Sequence, residues 1–215
     1  DRRRWPPCFH APSLPAALAK RPWPAPSCAI SKNRRERPVV TTPTSQILLE
    51  LADREAIREC MYRYSRGVDR LDADMIRSAY WPDCVDNHMS FTGNAEEFIE
   101  WAFPIMGSMD QTMHMIGNIL MRIDGDKADA ESYFYGIHRI NLPDGGKSDV
   151  IGAGRYVDNF EKRDDEWRIA KRVVVTDWFR QYPDSADWSQ GMLGIMIEPG
   201  GRFPNDDSYT RTRFT

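Results

Sequence analysis

The spacing of apolar residues changes once, near the middle of the chain, and this change limits the fold more than any other feature. Over residues 44–107 apolar side chains recur at helical spacing, as Ile57, Met61 and Tyr64 illustrate. Over residues 112–180 apolar and polar side chains alternate in long runs that turn sequences separate. Helices grouped before strands are typical of α+β domains rather than of α/β domains.

Capping and turn residues divide the two regions into elements. The first region predicts three helices, which run from Thr44 or Ser45 to about Gly67, from Leu71 to Tyr80, and from a cap at Asn94. A short strand or loop is predicted over residues 83–92. The second region predicts a meander of four strands, over residues 112–123, 127–141, 148–163 and 166–180.

Residues 1–43 differ in composition from the rest of the chain. They hold nine of the 15 prolines, and nine Lys/Arg against two acids give +7, which leaves −10 for the remaining residues. Such a segment cannot bury enough apolar surface to fold, so we predict a disordered tail. Its arginine-rich, acid-poor composition resembles a transit peptide, and a misplaced start is the alternative interpretation.

The folded domain is predicted to span residues 44–181. The stretch that follows, residues 182–215, is rich in Pro, Gly, Asp and Ser and carries Trp188, Met192 and Leu193. We predict that it forms an ordered C-terminal arm that packs on a neighbouring subunit.

The composition argues against several classes of protein. A net charge of −3 suggests neither nucleic-acid binding nor binding to a membrane surface. The chain contains no run of about 18 apolar residues, which is the length that a membrane-spanning helix needs. The four cysteines, Cys8, Cys28, Cys60 and Cys84, show no CxxC spacing, which predicts neither a zinc site nor a disulfide framework. This use of cysteine fits a reducing compartment, and we predict a cytoplasmic protein.

Asp69 stands at the end of the first predicted helix, where a carboxylate is electrostatically unfavourable. The C-terminal end of a helix is already partly negative, which costs an acid there about 0.3–1 kcal/mol. An acid placed at such a cost is a candidate for function, and it needs a partner. The candidate partners are His114, at the start of a predicted strand, and Arg172, in the middle of the last one.

His114 is the candidate general base. Methionines flank it on both sides, which predicts apolar surroundings for either a hydrogen-bonded core histidine or a catalyst. A carboxylate such as Asp69 beside the ring would fix its tautomer and make it a general base. His138 shares a strand face with Phe134, and it could reach the same pocket or make a cross-strand contact.

Arg172 and Tyr64 are candidates for stabilising negative charge. Strict alternation along the last strand puts Arg172 on one face with Trp178, between small apolar residues. A part-buried guanidinium there needs an anion, whereas a surface position on a twisted sheet is the alternative. Tyr64, five residues before Asp69, could donate a hydrogen bond to an oxyanion or pack its ring in the core.

The remaining site predictions concern the pocket wall and the absence of cofactor motifs. We assign to the wall a set of aromatic and polar residues, namely His138, Phe134, Trp178, Tyr135, Trp101 and Asn118. The chain contains no GxGxxG, GxxxxGK[ST], GxSxG or HExxH motif, so we predict neither a cofactor nor a metal. The stretch Gly152-Ala153-Gly154 lies inside a strand and predicts a bulge or a close backbone approach.

Several stretches match a known family. They are Gly67-Val68-Asp69, Met113-His114, the run from Gly154 to Glu161 and the run from Asp164 to Arg172. Over about residues 44–180 the chain resembles the SnoaL-like branch of the nuclear transport factor 2-like superfamily. The resemblance implies a conical α+β barrel, in which a curved sheet wraps a deep apolar pocket that the first helices close.

Within that branch the chain looks most like cofactor-free lyases, namely hexachlorocyclohexane dehydrochlorinase, bile-acid 7α-dehydratase and scytalone dehydratase. The resemblance implies that an Asp–His dyad, here Asp69 and His114, removes a proton, and that Arg172 matches an arginine of the last strand. The dehydrochlorinase has a lysine where this chain has Tyr64, and the bile-acid enzyme has a tyrosine, which favours an oxygen leaving group. The second aspartate of the bile-acid enzyme falls near Gly136, so its substrate geometry does not carry over.

The predicted function is therefore a cofactor-independent lyase that eliminates water from a hydrophobic aromatic or polycyclic small molecule. Enzymes that use the same dyad differently remain alternatives: an isomerase, a polyketide cyclase, or a carbon–carbon lyase that releases formaldehyde from lignin-derived aromatic diols. A non-catalytic binding module is a further alternative. Because the exposed face of such a sheet usually pairs with another subunit, we expect a homodimer or homotrimer.

Overall fold

The computed structural model describes residues 43–184, 190 and 200–212 of the chain. The helices of these residues are α1 (Thr44–Arg70), α2 (Ala73–Ala79), α3 (Ala95–Gly107) and α4 (Asp207–Arg211). Their strands are β1 (Tyr80–His88), β2 (Phe91–Gly93), β3 (Gln111–Asp124), β4 (Lys127–Asn141), β5 (Lys147–Arg163) and β6 (Glu166–Pro183). None of the helices described is both long and apolar enough to cross a membrane.

The strands form one six-stranded sheet in the order β2-β1-β6-β5-β4-β3. Strands β3 to β6 are an antiparallel meander, and β1 pairs parallel with β6. Helices packed on this mostly antiparallel sheet confirm the predicted α+β class. Within the described residues β2 and β3 are the two edges and do not pair with each other, so the sheet is open and the expected barrel is not closed.

The core lies between the helices and the sheet. It includes Ile57 and Tyr64 of α1 and Ile169 of β6, all of them fully or almost fully buried. Removing a large apolar side chain of this kind from water contributes about 1.5–3 kcal/mol. The indole N–H of Trp167 donates a hydrogen bond of 2.8 Å to Oδ1 of Asp53, which ties β6 to α1.

Helix α1 continues beyond its predicted end at Gly67 and ends at Arg70. Gly67 is required by packing, because a Cβ atom there would lie 2.7 Å from Cγ1 of Ile76 in α2. The helix ends because Leu71 adopts the left-handed conformation, with φ of 54°. Asp69 therefore lies in the last turn of the helix.

The bounds of the elements that follow α1 differ slightly from the prediction, and α2 and α3 begin at side-chain caps. Asp72 accepts the backbone N–H of Met75 at 3.0 Å, so α2 begins at Ala73 rather than Leu71. The stretch predicted as a strand or loop is the strand pair β1–β2, and β1 starts at Tyr80. Asn94 caps α3 as predicted, in a capping box with the third helical residue.

Two bulges in β6 change which of its side chains face the core. The register with β5 shifts between Ile169 and Lys171, and again between Thr176 and Trp178. Each shift inserts one extra residue, which reverses the alternation of the side chains beyond it. The second bulge lies opposite the stretch 152–154, where the glycines predicted such an irregularity.

The described part of the C-terminal region packs on the end of α1 in the same chain. The backbone N–H of Phe203 donates to the carbonyl of Arg70 at 2.7 Å, and the hydroxyl of Tyr209 donates to Asp72 at 2.8 Å. The guanidinium of Arg66 lies 4.4 Å from the centroid of the Tyr209 ring. Other predictions for the two ends of the chain fall outside the described residues, namely the disordered tail up to residue 42 and the packing of Trp188, Met192 and Leu193.

Candidate active site

Asp69 and His114 form a hydrogen-bonded pair where α1 meets β3. Oδ1 of Asp69 lies 2.7 Å from Nδ1 of His114, and Oδ2 accepts the backbone N–H of His114, also at 2.7 Å. The carboxylate therefore orients the ring and places the Nδ1 proton in the shared hydrogen bond. Nε2 is left with a lone pair that can accept a proton, as a general base requires. The structure thus brings together the two residues that the sequence predicts to pair.

The carboxylate of Asp69 is stabilised in its ionised form from two directions. Burial would raise the pKa of Asp69, but the hydrogen bonds from His114 outweigh burial and hold this pKa below its ordinary 3.8. Arg202, in the C-terminal region, donates to the backbone carbonyl of Asp69 and, at 2.7 Å, to the hydroxyl of Thr112. A guanidinium at the end of α1 offsets the unfavourable helix dipole.

His138 stands beside the dyad on β4. Its ring meets the ring of His114 edge to face, with centroids 5.1 Å apart. A Cβ atom on Gly136 would lie 3.0 Å from His138 and 3.1 Å from His114, so a residue without a side chain leaves room for both rings. Burial and the proximity of His114 lower the pKa of His138 to about 4. His138 is therefore a neutral polar group at neutral pH.

The dyad opens onto a cavity of about 250 Å³ with mainly apolar and aromatic walls. Helix α3 contributes Phe98 and Trp101, and β4 contributes Phe134 and His138. Three of the predicted wall residues, Trp101, Phe134 and His138, therefore line the cavity of His114. Phe98 was not among the predicted wall residues, although its helical spacing from Trp101 and Ala102 on α3 could have indicated it.

Arg172 is fully buried and does not line this cavity. Asp158 accepts two hydrogen bonds from its guanidinium, of 2.8 and 2.7 Å, and the hydroxyl of Tyr80 accepts a third at 3.3 Å. The rings of Tyr64 and Tyr156, which do line the cavity, lie 4.1 and 4.2 Å from the guanidinium carbon. The predicted part-buried position of Arg172 at the pocket is wrong, because Asp158 supplies the anion that its charge requires.

Tyr64 both lines the cavity and packs in the core. Only 2% of the residue is exposed, and burial raises its pKa well above the ordinary value of 10. The phenol therefore keeps its proton and can donate it in a hydrogen bond. The two interpretations of Tyr64 offered by the sequence are compatible in the folded chain.

Three predicted wall residues, Trp178, Tyr135 and Asn118, lie outside this cavity and line a separate groove of the sheet. Trp178 and Tyr135 are 59% and 37% exposed. Tyr135 points away from the cavity because its neighbour in the alternation, Phe134, points into it. Their assignment to the wall is therefore wrong.

Bulges explain why Trp178 and Asn118 lie outside the cavity. Strict alternation places Trp178 on the face of Arg172, but the extra residue Asp177 reverses the alternation, and Phe179 lines the cavity instead. Asn118 is itself an extra residue, at the register shift of β3 against β4, with φ of 25°.

His88, which was not among the predicted site residues, lines the cavity from the end of β1. Its Nδ1 lies 3.6 Å from Oδ1 of Asp86, which is fully buried. Two residues apart on a strand, Asp86 and His88 share one face. That spacing could have identified the pair if the strand had been preferred to the loop over residues 83–92.

The arranged side chains can accept, donate and orient protons. Within the described parts of the chain, no group of three or more His, Cys, Asp or Glu residues is placed to hold a metal ion. What the cavity presents is an oriented imidazole, a neutral imidazole and a phenol, namely His114, His138 and Tyr64. These groups suit general acid–base chemistry on a molecule held by apolar walls.

The chain belongs to the SnoaL-like domain family, whose sequence model matches residues 49–173. The match includes both members of the dyad. An uncharacterized protein of Mycobacterium tuberculosis (strain ATCC 25618 / H37Rv) is 27% identical over 128 residues, which are 58% of this chain and 85% of that protein. An uncharacterized protein of Mycobacterium bovis matches with the same values.

Solved structures share the fold at low sequence identity. A type 2 hexachlorocyclohexane dehydrochlorinase (LinA) superimposes with a TM-score of 0.57 at 22% identity, covering 72% of this chain and 99% of that one. A putative scytalone dehydratase from Novosphingobium aromaticivorans gives a TM-score of 0.56 at 23% identity, covering 65% and 94%. Together with the family match, these similarities confirm the predicted SnoaL-like branch and its fold.

Proposed function

We propose that the chain is a cofactor-independent lyase that eliminates water from a hydrophobic small molecule. The observation that carries this proposal is the pair of 2.7 Å hydrogen bonds between Asp69 and His114 at the wall of an apolar cavity. Proteins of similar structure are named as a dehydrochlorinase and a putative scytalone dehydratase, which supports elimination chemistry on this fold. The Asp69–His114 pair is the feature of this chain that could perform such chemistry.

In the proposed reaction, Nε2 of His114 removes a proton from a carbon next to an activating group. The electron pair of that C–H bond forms the new double bond, the C–O bond breaks, and the oxygen leaves with its electron pair. Asp69 stabilises the imidazolium that forms, since its two oxygens already bind the ring and the backbone of His114. A well-positioned general base contributes about 10²–10⁴-fold to the rate.

Tyr64 is the proposed donor to the oxygen of the activating group, on which negative charge develops. Its phenol stays protonated because burial raises its pKa, and the ring forms part of the cavity wall. A donor of this kind contributes roughly 10²–10³-fold. Arg172 acts through Tyr64 as a positioning residue, because its guanidinium lies against the ring and does not reach the cavity.

The residues that form the walls of the cavity support a proposal for the substrate class. Phe98, Trp101 and Phe134 offer aromatic faces, and no Lys, Arg, Asp or Glu is among the described residues that line the cavity. A volume of about 250 Å³ lies just below the roughly 300–1,000 Å³ of drug-sized sites. We therefore propose an uncharged substrate of one or two rings that carries a hydroxyl group β to the activating group.

Mass spectrometry on a panel of hydroxy-ketones, steroid-like alcohols and diaryl propanediols tests the proposal. Wild type should release water from one class, and Asp69→Asn and His114→Gln should each slow that loss at least 10²-fold without unfolding the chain. Asp83→Asn is the matched control, because Asp83 is exposed and pairs with Arg163 at the surface. Turnover that survives both dyad substitutions would contradict the proposal.

The same panel separates the alternatives. Loss of formaldehyde would keep the dyad and identify a carbon–carbon lyase, whereas a product of unchanged mass would identify an isomerase or a cyclase. If no compound changes but one raises the melting temperature of wild type and Asp69→Asn alike, the chain is a binding module.

A further inference from the structure

Asp86 and His88 form a second Asp–His pair on the wall of the cavity that His114 lines. His88 is on β1 and His114 on β3, and the strands β6, β5 and β4 lie between them. At roughly 4.8 Å per strand, β1 and β3 are about 19 Å apart along the sheet. Both histidines line one cavity because the sheet curves around it. A molecule in the cavity would therefore lie between two imidazoles.

The second pair contains two buried polar atoms without a hydrogen bond to any described residue. They are Oδ1 of Asp86 and Nδ1 of His88, which lie 3.6 Å apart. The other oxygen of Asp86 accepts the hydroxyl of Tyr80 at 2.5 Å. A buried carboxylate oxygen without a donor is costly, and a shift of roughly 0.6 Å would bring the ring of His88 within hydrogen-bond distance. His88 is thus poised to donate from Nδ1 to Asp86.

The buried charges behind His88 do not balance. Asp86, Asp158 and Arg172 are all fully buried and are connected through the hydroxyl of Tyr80. Two carboxylates and one guanidinium give a net charge of −1, and an uncompensated buried charge is strongly unfavourable. Tyr64 and Tyr156, which face this network from α1 and β5, are phenols and add no charge. An imidazolium at His88 would bring the net charge to zero.

The aromatic surroundings of His88 can accommodate that positive charge. Its ring centroid lies 5.2 Å from that of Phe98 and 6.0 Å from that of Trp101. Aromatic rings within about 6 Å attract a cation through their electron-rich faces. Nε2 of His88 makes no hydrogen bond with any described residue, so it is free to meet a molecule in the cavity.

We propose that His88, held by Asp86, is the proton donor of the site and protonates the departing oxygen. This role rests on the proposed dehydration. His114 takes the proton from carbon, the C–H electrons form the double bond, and the C–O bond breaks. The leaving oxygen takes the proton from Nε2 of His88 and departs as water. His88 is left neutral and His114 protonated, and exchange with solvent restores both.

The proposal fixes the orientation of the substrate. Its acidic C–H bond points to β3 and its hydroxyl group to β1, while Tyr64 binds the activating group between them. The curved sheet thus presents an imidazole to the substrate from each of these two strands.

Binding of 4-nitrophenol tests this site without turnover, because the neutral and ionised forms of the probe absorb at different wavelengths. Near neutral pH, wild type should bind the phenolate, whose oxygen stands in for the departing oxygen. His88→Gln should weaken phenolate binding at least tenfold, and Asp86→Asn should weaken it as well. Asp83→Asn, at an exposed acid of β1, is the matched control and should bind the phenolate as wild type does.

Phenolate binding that is unchanged in His88→Gln would overturn the proposal, and so would a wild type that does not bind the probe at millimolar concentration. Asp86 is buried, so its substitution could unfold the chain, and the exposed edge of His88 makes His88→Gln the deciding variant. Circular dichroism verifies that this variant is folded. If dehydration needs His114 but neither turnover nor phenolate binding needs His88, only the present proposal fails. If phenolate binding needs His88 but no panel compound reacts, the proposed dehydration fails instead.

Discussion

At the scale of single residues, the fold lowers the pKa of His138 and the pKa of Asp69 by different routes. Burial lowers the pKa of His138 to about 4. Burial would raise the pKa of Asp69, but the hydrogen bonds with His114 outweigh it and hold this pKa below 3.8. In both cases the folded chain takes up a proton at lower pH than the unfolded chain does. Each residue therefore contributes stability that is complete above its unfolded pKa and is lost as pH falls through its folded pKa.

We expect the free energy of unfolding to decrease as pH falls from 6.5 to about 4. In this window the unfolded chain protonates His138 and the folded chain does not, which accounts for up to about 3 kcal/mol. His138→Gln should remove most of this decrease and keep the separate loss below pH 3.8 that Asp69 causes. Urea denaturation at a series of pH values measures both. An unchanged slope between pH 6.5 and 4 in His138→Gln would assign the titration to another group.

The sequence indicates what a buried charge needs better than it indicates the group that supplies it. Arg172 was correctly expected to require an anion, but the anion is Asp158, its neighbour in register on β5. Register depends on where bulges fall, and no residue type marks them reliably. Asp69 and His114 could be paired because a helix end and a strand start are visible in the sequence. The distance between these two residues, and the cluster of buried charges behind His88, could not be predicted from the sequence.

At the scale of elements, the turns of this chain are easier to predict than its irregularities. The bounds of β4, residues 127–141, are those that the sequence predicts, because turn residues mark both ends. The second bulge of β6 displaced Trp178 from its predicted face, and α1 passes Gly67 because that glycine serves the contact with α2. Both errors arise from contacts between elements, which the local periodicity of the sequence does not reveal.

Gly154 and Gly152 provide a test of the second bulge, because both lie on β5 opposite it. A Cβ atom at position 154 would overlap the backbone carbonyl of Val175, whereas one at position 152 would meet nothing within 4 Å. We expect Gly154→Ala to lower the free energy of unfolding by about 1–3 kcal/mol or more, because the backbones of β5 and β6 must separate. Gly152→Ala should have little effect or stabilise slightly. Thermal denaturation of the two variants compares them, and equal losses would contradict the close approach.

At the scale of the whole molecule, the sheet exposes apolar and aromatic side chains on the face away from the cavity. Met115, Tyr133, Tyr135 and Trp178 line one groove there, and each is more than a third exposed. Contiguous exposed apolar surface of this kind marks interaction sites. The face therefore supports the expectation that a second copy of the chain covers it.

We expect light scattering after size exclusion to give two or three times the chain mass of 24.8 kDa. Trp178→Glu should shift the mass to that of one chain, because a carboxylate in a closed apolar interface lacks a partner. Leu49→Glu is the control, since Leu49 is exposed to a similar extent on α1 and away from the sheet. A monomeric wild type, or dissociation of both variants alike, would contradict pairing through the sheet.

Arg202 reaches the carbonyl of Asp69 from beyond residue 173, where the match to the family ends. The residues that match the family thus contain Asp69 and His114, but not the guanidinium that tethers the end of the helix of Asp69 to Thr112 of the neighbouring strand. Two members with the same dyad can therefore differ in how rigidly they hold it, through a segment that no comparison of their shared domain would reveal. Grafting Asp69 and His114 onto a relative would transfer the hydrogen-bonded pair without its tether.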